Sequence, residues 1–455
     1  MDKVNFNHKL ILKLGIGFFL ISILLLCFSF FYRPLNIDGG SYLLLAREIS
    51  RGSLSGPANG TGYTPLVMWV YGLFLVESNS TPFQIIILLN ISIIVANAML
   101  LVVFISKEIP LSKSIKSLLF TTYLLFQLLM EGTDIILEPW VVLFMMLGLL
   151  LIQSKKLSNY LLAGAAISFS FLSKQYGLAS LGVLISYLFF IETGSRKFIK
   201  ILLILVGLSF TTFIFWLLFS NIYLAPSSIF SNYFNSSNYH GDVSLSKAFY
   251  NIAILVIMRI TFLSYLVFKS LTKRSSWNSY DLFSLACIVC FLPAFYNKQY
   301  IHYFHLILPF LFLIISCNLH HLISQIQQSR MNKFFIVITF IISICSLGRS
   351  YFNSIYFSQK EQSEIAQKLT ANIPQGSPVF IQDPHFIPFY YLCNFEIPGK
   401  AFSHDVTKNF HDSINQDLIL KSKYLVLLKE RQISGFMQIS GLNEIAPIYR
   451  RIQKE

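Results

Sequence analysis

Four acidic residues lie where long apolar runs give way to polar loops. Asp38 stands in "NIDGG" (36–40), directly after the first apolar run, and the other three stand in "MEGTDIILEPW" (130–140): Glu131, Asp134 and Glu138. On a continuous helix, their spacing of three and four residues would place the last three on one face. Glu138 lies just inside an apolar run, where a carboxylate is costly unless it has a partner. Such carboxylates can orient sugar hydroxyls, share a proton or hold a divalent cation.

Asp38 has two compatible interpretations. It is expected to be the N-cap of a helix that begins near Ser41, with Gly39 and Gly40 as a permissive linker. A carboxylate near a helix N-terminus is also held in place and kept ionised, as a general base must be.

Three cationic or imidazole side chains lie near the same predicted side of the membrane. Lys174 stands in "FLSKQYG", and Lys298 and His302 stand in "YNKQYIHYFH". Because His302 follows Lys298 by four residues, a helix would place it one turn deeper on the same face. A cation and an imidazole can bind a phosphate group, which is the function predicted for these side chains. The alternative is that the lysines only extend toward the phosphates of membrane lipids.

The composition indicates an integral membrane protein. The 455 residues are 55% hydrophobic and only 12% charged, about half the charge of a soluble chain. The net charge of +14 does not indicate a nucleic-acid surface, because Lys and Arg lie mostly in short loops between apolar runs.

Hydropathy predicts about eleven transmembrane helices. They are placed at 10–31, 83–105, 115–131, 135–152, 158–173, 176–192, 198–220, 249–268, 281–297, 301–318 and 333–351. The distribution of Lys and Arg in the connecting loops predicts a cytoplasmic N-terminus in a multi-pass cell membrane protein. It places the first loop (32–82), the polar segment 221–248 and the tail from about 353 outside the cytoplasm.

The first outer loop is predicted to hold two interfacial helices, at 41–51 and 64–77. In the first helix, one face is apolar (Tyr42, Leu45, Ala46, Ile49), and the other carries Arg47, Glu48 and Arg51.

The chain is thus predicted to be an all-α polytopic membrane module (1–352) followed by a small extracytoplasmic α/β domain (353–455). In the tail, "SPVFIQ", "KYLVLLKE" and "APIYRRIQKE" are predicted strands. "KEQSEIAQKLTAN" and "DSINQDLILKS" are predicted helices.

Several stretches resemble one family of membrane glycosyltransferases. "IDGGSYLLLAREISRGSLSG", followed by "GYTPLVMWVYGLFL", resembles the first outer loop of enzymes with the GT-C fold. The likeness is to the branch of protein O-mannosyltransferases and lipid A aminoarabinose transferases (glycosyltransferase families 39 and 83). "AGAAISFSFLSKQYGLASL", "IHYFHLILPFLFLI" and "IPFYYLCNFEIP" resemble later elements of the family. Two departures are Gly39, where an acidic residue is common, and Thr64-Pro65, which replaces a Lys-Pro-Pro of some members.

The resemblance implies an inverting transfer of a sugar from a polyprenyl-phosphate donor to a lipid, glycan or protein acceptor outside the cytoplasm. It implies that Asp38 is the catalytic carboxylate and that Asp134 and Glu138 belong to the catalytic site. Lys174, Lys298 and His302 are expected to bind the donor phosphate. Tyr42, Tyr63 and Glu131 are expected to contact substrate. No cofactor or catalytic metal is expected, although the acidic residues leave room for a divalent cation.

Three other functions remain open at this point. A lipid or sugar transporter or flippase would place ionisable residues near mid-bilayer and often show repeats. A polysaccharide ligase or polymerase would use a similar donor but centre on a long outer loop between late helices. A non-catalytic membrane scaffold would work through its tail domain.

Overall fold

A computed structural model describes the chain over residues 8–50, 66–75, 83–132, 134–219, 259–272, 277–296, 301–353, 358–382, 384–396, 419–427, 436–442 and 446–451, together with residues 253, 256 and 398. These residues fall into two compact units. The first unit takes in residues up to 29, 88–217 and 234–353, and the second takes in 30–87, 218–233 and 354–455.

The first unit is helical throughout its described part. Its helices are α1 (His8–Tyr32), α4 (Gln84–Glu108), α5 (Lys113–Gln127), α6 (Glu138–Gln153), α7 (Leu157–Ser173), α8 (Ala179–Phe190), α9 (Lys197–Phe219), α10 (Thr261–Leu271), α11 (Ser279–Tyr296), α12 (Leu308–Cys317), α13 (Leu319–Gln328) and α14 (Arg330–Asn353), where α1, α4 and α9 continue a few residues into the second unit. A π-helical turn (Leu128–Gly132) and two 3-10 turns (Gln175–Leu178 and Ile301–Leu306) extend α5, α8 and α12.

Each predicted span overlaps one of these helices in its described part. Four described helices are long and apolar enough to cross a membrane: Ile11–Tyr32, Gln84–Glu108, Lys197–Leu218 and Arg330–Arg349. Six further apolar helices have 10 to 17 residues. Most of the surface of α1, α9 and α14 is exposed and apolar, which is the pattern of helices that face lipid.

The core of the first unit lies between α4, α5, α6, α7, α8, α11 and α12. Aromatic side chains fill it, including Tyr123, Phe283 and Phe310, which are buried. Gly164 lets α7 approach α9 closely, because a Cβ at this position would lie 2.0 Å from the carbonyl oxygen of Ile204. Small residues at such contacts allow close helix packing where lipid gives little hydrophobic driving force.

The second unit joins the first-loop helices to a small α/β domain. Its elements are α2 (Ile37–Ser50), α3 (Leu66–Phe74), α15 (Gln359–Asn372), α16 (Pro388–Leu392), β1 (Val379–Ile381), β2 (Tyr424–Val426), β3 (Phe436–Leu442) and β4 (Ala446–Arg451). The sheet order is β1-β2-β4-β3, with β1 and β2 parallel and the other pairs antiparallel. Ser358 and Glu361 form a capping box that starts α15.

The three predicted strands and the helix at 360–372 are confirmed, and β3 is an addition to them. The predicted helix at 412–422 lies mostly outside the described residues, as does the polar segment 221–248. The two first-loop helices are present, at Ile37–Ser50 and Leu66–Phe74.

The start of α2 differs from the prediction. The helix begins at Ile37, and the Oδ1 atom of Asn36 accepts a hydrogen bond from the Gly39 amide at 2.6 Å, so that Asn36 rather than Asp38 caps it. Gly39 and Gly40 are helical residues of the first turn and not a linker. Arg47, predicted to share a charged face with Glu48 and Arg51, is buried.

Candidate functional site

A break in the helical backbone separates the acidic residues of 130–140. Helix α5 ends at Gln127, and in the π-helical turn that follows Glu131 adopts left-handed backbone angles (φ 63°, ψ 20°). Helix α6 begins only at Glu138, with Pro139 in its first turn. Glu131, Asp134 and Glu138 therefore do not lie on one continuous helix. Their spacing of three and four residues therefore gives them no shared helical face.

Glu138 forms a buried ion pair with Lys174. The Nζ atom of Lys174 donates a hydrogen bond to Oε1 of Glu138, and the two side chains are 7% and 0% exposed. Lys174 directly follows α7 in an extended conformation, which lets its side chain reach the start of α6. Glu138 lies in an apolar run and requires a partner for its charge. That partner is Lys174, the lysine predicted to bind an anion.

His302 lies between two carboxylates. Its Nδ1 atom is 3.2 Å from Oε2 of Glu131, and its Nε2 atom is 3.7 Å from Oε1 of Glu138. We call these four residues (Glu131, Glu138, Lys174 and His302) the Glu138 cluster. The cluster joins the π-helical turn, α6, the end of α7 and the 3-10 turn before α12.

The 3-10 turn explains why a second histidine joins the same region. In a 3-10 helix, side chains three residues apart eclipse one another, so His302 and His305 point to the same side. Nε2 of His305 is 3.0 Å from the backbone carbonyl oxygen of Met130, which accepts the hydrogen bond. The two histidines thereby tie residues 301–306 to the irregular turn at 128–132.

Aromatic rings flank the ammonium group of Lys174. It lies 4.9 Å from the centre of the Tyr303 ring and 5.9 Å from the centre of the Tyr176 ring. An ammonium group has three donors, and Glu138 takes one of them. Among the described residues, Oε2 of Glu138 has no hydrogen-bond partner although it is buried.

The charges of the Glu138 cluster nearly cancel. Two carboxylates face one ammonium group and one imidazole, so the cluster is neutral when His302 is protonated and carries one negative charge when it is not. A phosphate group approaching Lys174 therefore meets a cation that already has a counter-ion.

Asp134 is buried in the short segment between Glu131 and Glu138. Nδ2 of Asn90 donates a hydrogen bond to the backbone carbonyl oxygen of Asp134 at 3.4 Å, and Oδ1 of Asn90 accepts one from the Trp140 indole at 3.1 Å. Asn90 thus bridges this segment and α6. Sequence reasoning did not single out Asn90.

Asp38 and Tyr42 belong to the second unit, whereas the Glu138 cluster belongs to the first. Asp38 is half-buried in the first turn of α2, and Tyr42, one turn later, is buried. Lys298 and Tyr63 lie outside the described residues. Within the described part of the chain, no group of three or more His, Cys, Asp and Glu residues is arranged to hold a metal ion.

The fold of this chain has counterparts among proteins of known structure. No protein-family model and no curated protein matches this sequence. The chain is similar to ArnT from Cupriavidus metallidurans, whose crystal structure contains undecaprenyl phosphate, with a TM-score of 0.54 and 14% sequence identity. The alignment covers 96% of this chain and 98% of that one. The protein has the ArnT fold.

This result confirms the predicted GT-C fold and the polytopic, all-helical membrane architecture with a small α/β C-terminal region. At 14% identity, the likeness shows that the two proteins share a fold and does not define the reaction.

Proposed function

We propose that this protein is an inverting membrane glycosyltransferase that takes its sugar from a polyprenyl-phosphate donor. The observation that carries the proposal is the shared fold along nearly the whole of both chains, with a protein whose structure contains undecaprenyl phosphate. Fold alone does not define chemistry, so the reacting groups are assigned residue by residue below.

Asp38 is proposed as the general base. It takes the proton of the acceptor hydroxyl as the acceptor oxygen bonds to the anomeric carbon, and the bond from that carbon to the phosphate oxygen breaks on the opposite side. The polyprenyl phosphate leaves with the bonding electrons, and the anomeric centre inverts. A carboxylate in the first turn of a helix is stabilised in its ionised form, because the helix N-terminus carries partial positive charge.

The Glu138 cluster is proposed to receive the phosphate. Lys174, whose ammonium group lies beside the rings of Tyr303 and Tyr176, can keep its pair with Glu138 and present its other donors to the phosphate. The carboxylates would hold Lys174 and His302 in position before the donor arrives. The arrangement is consistent with Glu138 and Glu131 holding Lys174 and His302 in position. The catalytic roles of Glu138 and Asp134 and the phosphate contact of Lys298 stay predictions.

The proposed setting is the inner membrane, with a cytoplasmic N-terminus and the C-terminal domain outside. The acceptor is a lipid, a glycan or a protein. No cofactor is part of the proposal.

Transfer by purified protein in liposomes tests the function. We would supply a panel of labelled polyprenyl-phosphate sugars, the matching nucleotide sugars as controls, and a crude acceptor extract. The expected result is transfer from a lipid-phosphate donor alone, with an inverted anomeric centre in the product by NMR. Movement of the labelled lipid across the bilayer without any transfer would contradict the proposal and favour the flippase.

A further inference from the structure

One face of helix α2 is attached to the C-terminal domain, defined here by the described residues from Ser358 to Arg451. The face consists of Ile37, Gly40, Leu44 and Arg47, at spacings of three and four residues. Leu44 is buried in the apolar core of the domain, and Ile37 packs against the same core. A Cβ at Gly40 would lie 2.7 Å from the Cα atom of Pro388, so only glycine permits this contact between backbones.

Arg47 binds the end of α16 through its guanidinium group. Nη1 donates to the carbonyl oxygen of Tyr390 at 3.1 Å and to Oδ1 of Asn394 at 3.0 Å, and Nη2 donates to the carbonyl oxygen of Phe395 at 2.8 Å. The last carbonyl groups of a helix lack partners within the helix. Arg47, which is buried, thus binds one carbonyl group in the last turn of α16 and two oxygen atoms of the residues that follow it, more than 300 residues away in sequence. A planar fork of donors makes this pattern, and an ammonium group cannot reproduce it.

Gln362 holds the chain just before α2. Its Oε1 atom accepts a hydrogen bond from the Leu35 amide at 3.0 Å, and its Nε2 atom donates one to the Leu35 carbonyl oxygen at 2.7 Å. Both backbone groups of one residue are thus satisfied by one buried side chain of α15. Leu35 precedes Asp38 by three residues, so this contact fixes the point at which α2 begins.

Asp38 lies on a different side of the helix. At about 100° per residue, Asp38 and Tyr42 are rotated by roughly 150° from the face that carries Gly40, Leu44 and Arg47. The attached face and the face with the carboxylate are therefore nearly opposite. The contacts of Gly40, Leu44 and Arg47 with the domain are thus made from the side of the helix that lies away from Asp38.

We infer that the C-terminal domain positions Asp38 for catalysis, with Arg47 and Gln362 as positioning residues that act through α2. This inference rests on the proposed function, in which Asp38 is the general base. A base must lie within hydrogen-bond reach of the proton it removes. A displacement of about 1 Å can cost roughly 100-fold in rate. The C-terminal domain thereby acts on the reaction through the position of α2.

Activity of matched variants forms the first arm of the test. Arg47→Met and Gln362→Met remove the hydrogen bonds and keep side-chain length, while Lys368→Met and Gln367→Met on exposed positions of α15 are the controls. We expect kcat to fall about 10- to 100-fold in the first pair, with the donor KM within about twofold. The removed hydrogen bonds affect the reaction only through the position of Asp38. Arg47→Lys is expected to restore only part of kcat. In combination with Asp38→Asn, Arg47→Met should add no further loss, since the base is already absent.

Hydrogen exchange forms the second arm, and it does not depend on activity. We expect the amides of 35–50 to exchange at least about 10-fold faster in Arg47→Met and Gln362→Met than in the wild type, with α4 and α14 unchanged. Unchanged exchange of 35–50, or independent losses from Arg47→Met and Asp38→Asn, would overturn the inference. A third outcome combines faster exchange of 35–50 in Arg47→Met and Gln362→Met with full activity of Asp38→Asn. It would support the attachment of α2 to the domain and contradict the catalytic role of Asp38.

Discussion

The two ends of helix α6 carry polar clusters that differ in charge and in backbone. At its N-terminus lies the Glu138 cluster, with two carboxylates, a lysine and a histidine. At its C-terminus, Glu108 of α4 accepts hydrogen bonds from Gln153 Nε2 at 2.5 Å, from the Tyr187 hydroxyl at 2.8 Å and from the Tyr280 hydroxyl at 2.6 Å. We call these four residues (Glu108, Gln153, Tyr187 and Tyr280) the Glu108 cluster.

The Glu108 cluster is built on regular helices. Its members lie within the last or first few residues of α4, α6, α8 and α11. The single carboxylate of Glu108 accepts hydrogen bonds from three neutral donors. Polar groups at helix ends commonly tie neighbouring helices in this way. Nothing in its geometry requires the backbone to leave the helix.

The Glu138 cluster depends on irregular backbone. Glu131 is left-handed, the turn at 128–132 is π-helical, and His302 belongs to a 3-10 turn. A left-handed residue other than glycine costs about 1–3 kcal/mol, and such residues and π-helical turns are frequent at functional sites. We therefore propose that the Glu108 cluster holds helices together, whereas the Glu138 cluster keeps its irregular geometry for chemistry.

The largest expected effect is at the buried ion pair. Lys174→Met leaves the fully buried Glu138 without its cation and should destabilise the protein by about 3–5 kcal/mol. Adding Glu138→Gln should restore more than half of that loss, because the uncompensated charge is then gone. Unfolding by sodium dodecyl sulfate in mixed micelles measures both, with Lys113→Met at an exposed position as control. Equal losses for Lys174→Met and Lys113→Met would show that the pair does not matter.

A smaller effect is expected at the other end of α6. Tyr280→Phe removes a hydrogen bond to the Glu108 carboxylate and should cost about 1.5–3 kcal/mol, with transfer activity retained. Tyr265→Phe is the matched control, because that hydroxyl donates to the neutral amide oxygen of Asn332 at 3.3 Å and should cost about 1 kcal/mol or less. A loss of transfer in Tyr280→Phe without a loss of stability would break the distinction between the clusters.

The smallest expected effect separates two left-handed residues that flank α6. Lys155 (φ 59°) follows the helix with an exposed side chain, so Lys155→Gly should relieve backbone strain and stabilise the protein by up to about 1 kcal/mol. Glu131→Gly relieves similar strain but removes the carboxylate beside His302, so we expect no gain in stability and reduced transfer. The same unfolding titration and the transfer assay compare the two. Identical behaviour of the two variants would contradict a functional role for Glu131.

The helices were predictable because bilayer-spanning segments must be apolar over most of their length. The breaks at 128–137 and 301–306 were not predicted, since hydropathy does not register a turn inside an apolar run. A signal was present: Pro139 and Pro309 each follow the first residue of a helix, where proline is favoured. Read in this way, the sequence places the starts of α6 and α12 at Glu138 and Leu308.

The site was predictable in its residue types but not in its pairing. The sequence indicated that Glu138 needs a partner, and the structure identifies Lys174, 36 positions away. Arg47 was misplaced because a helical wheel assumes one buried face, whereas α2 buries most of its circumference under α3 and the C-terminal domain. The acceptors of Arg47 lie 343 to 348 positions further along the chain, which no local pattern reveals.

The most direct test of the account compares wild type with Asp38→Asn in single-turnover transfer from the labelled polyprenyl-phosphate donor, with donor binding measured alongside. The substitution keeps the shape of the side chain and removes the base. We predict that transfer falls about 100-fold or more, the scale of a lost general base, while donor binding is retained. Transfer at the wild-type rate would contradict the account, remove Asp38 from the chemistry and move the search to Glu131, Asp134 and Glu138.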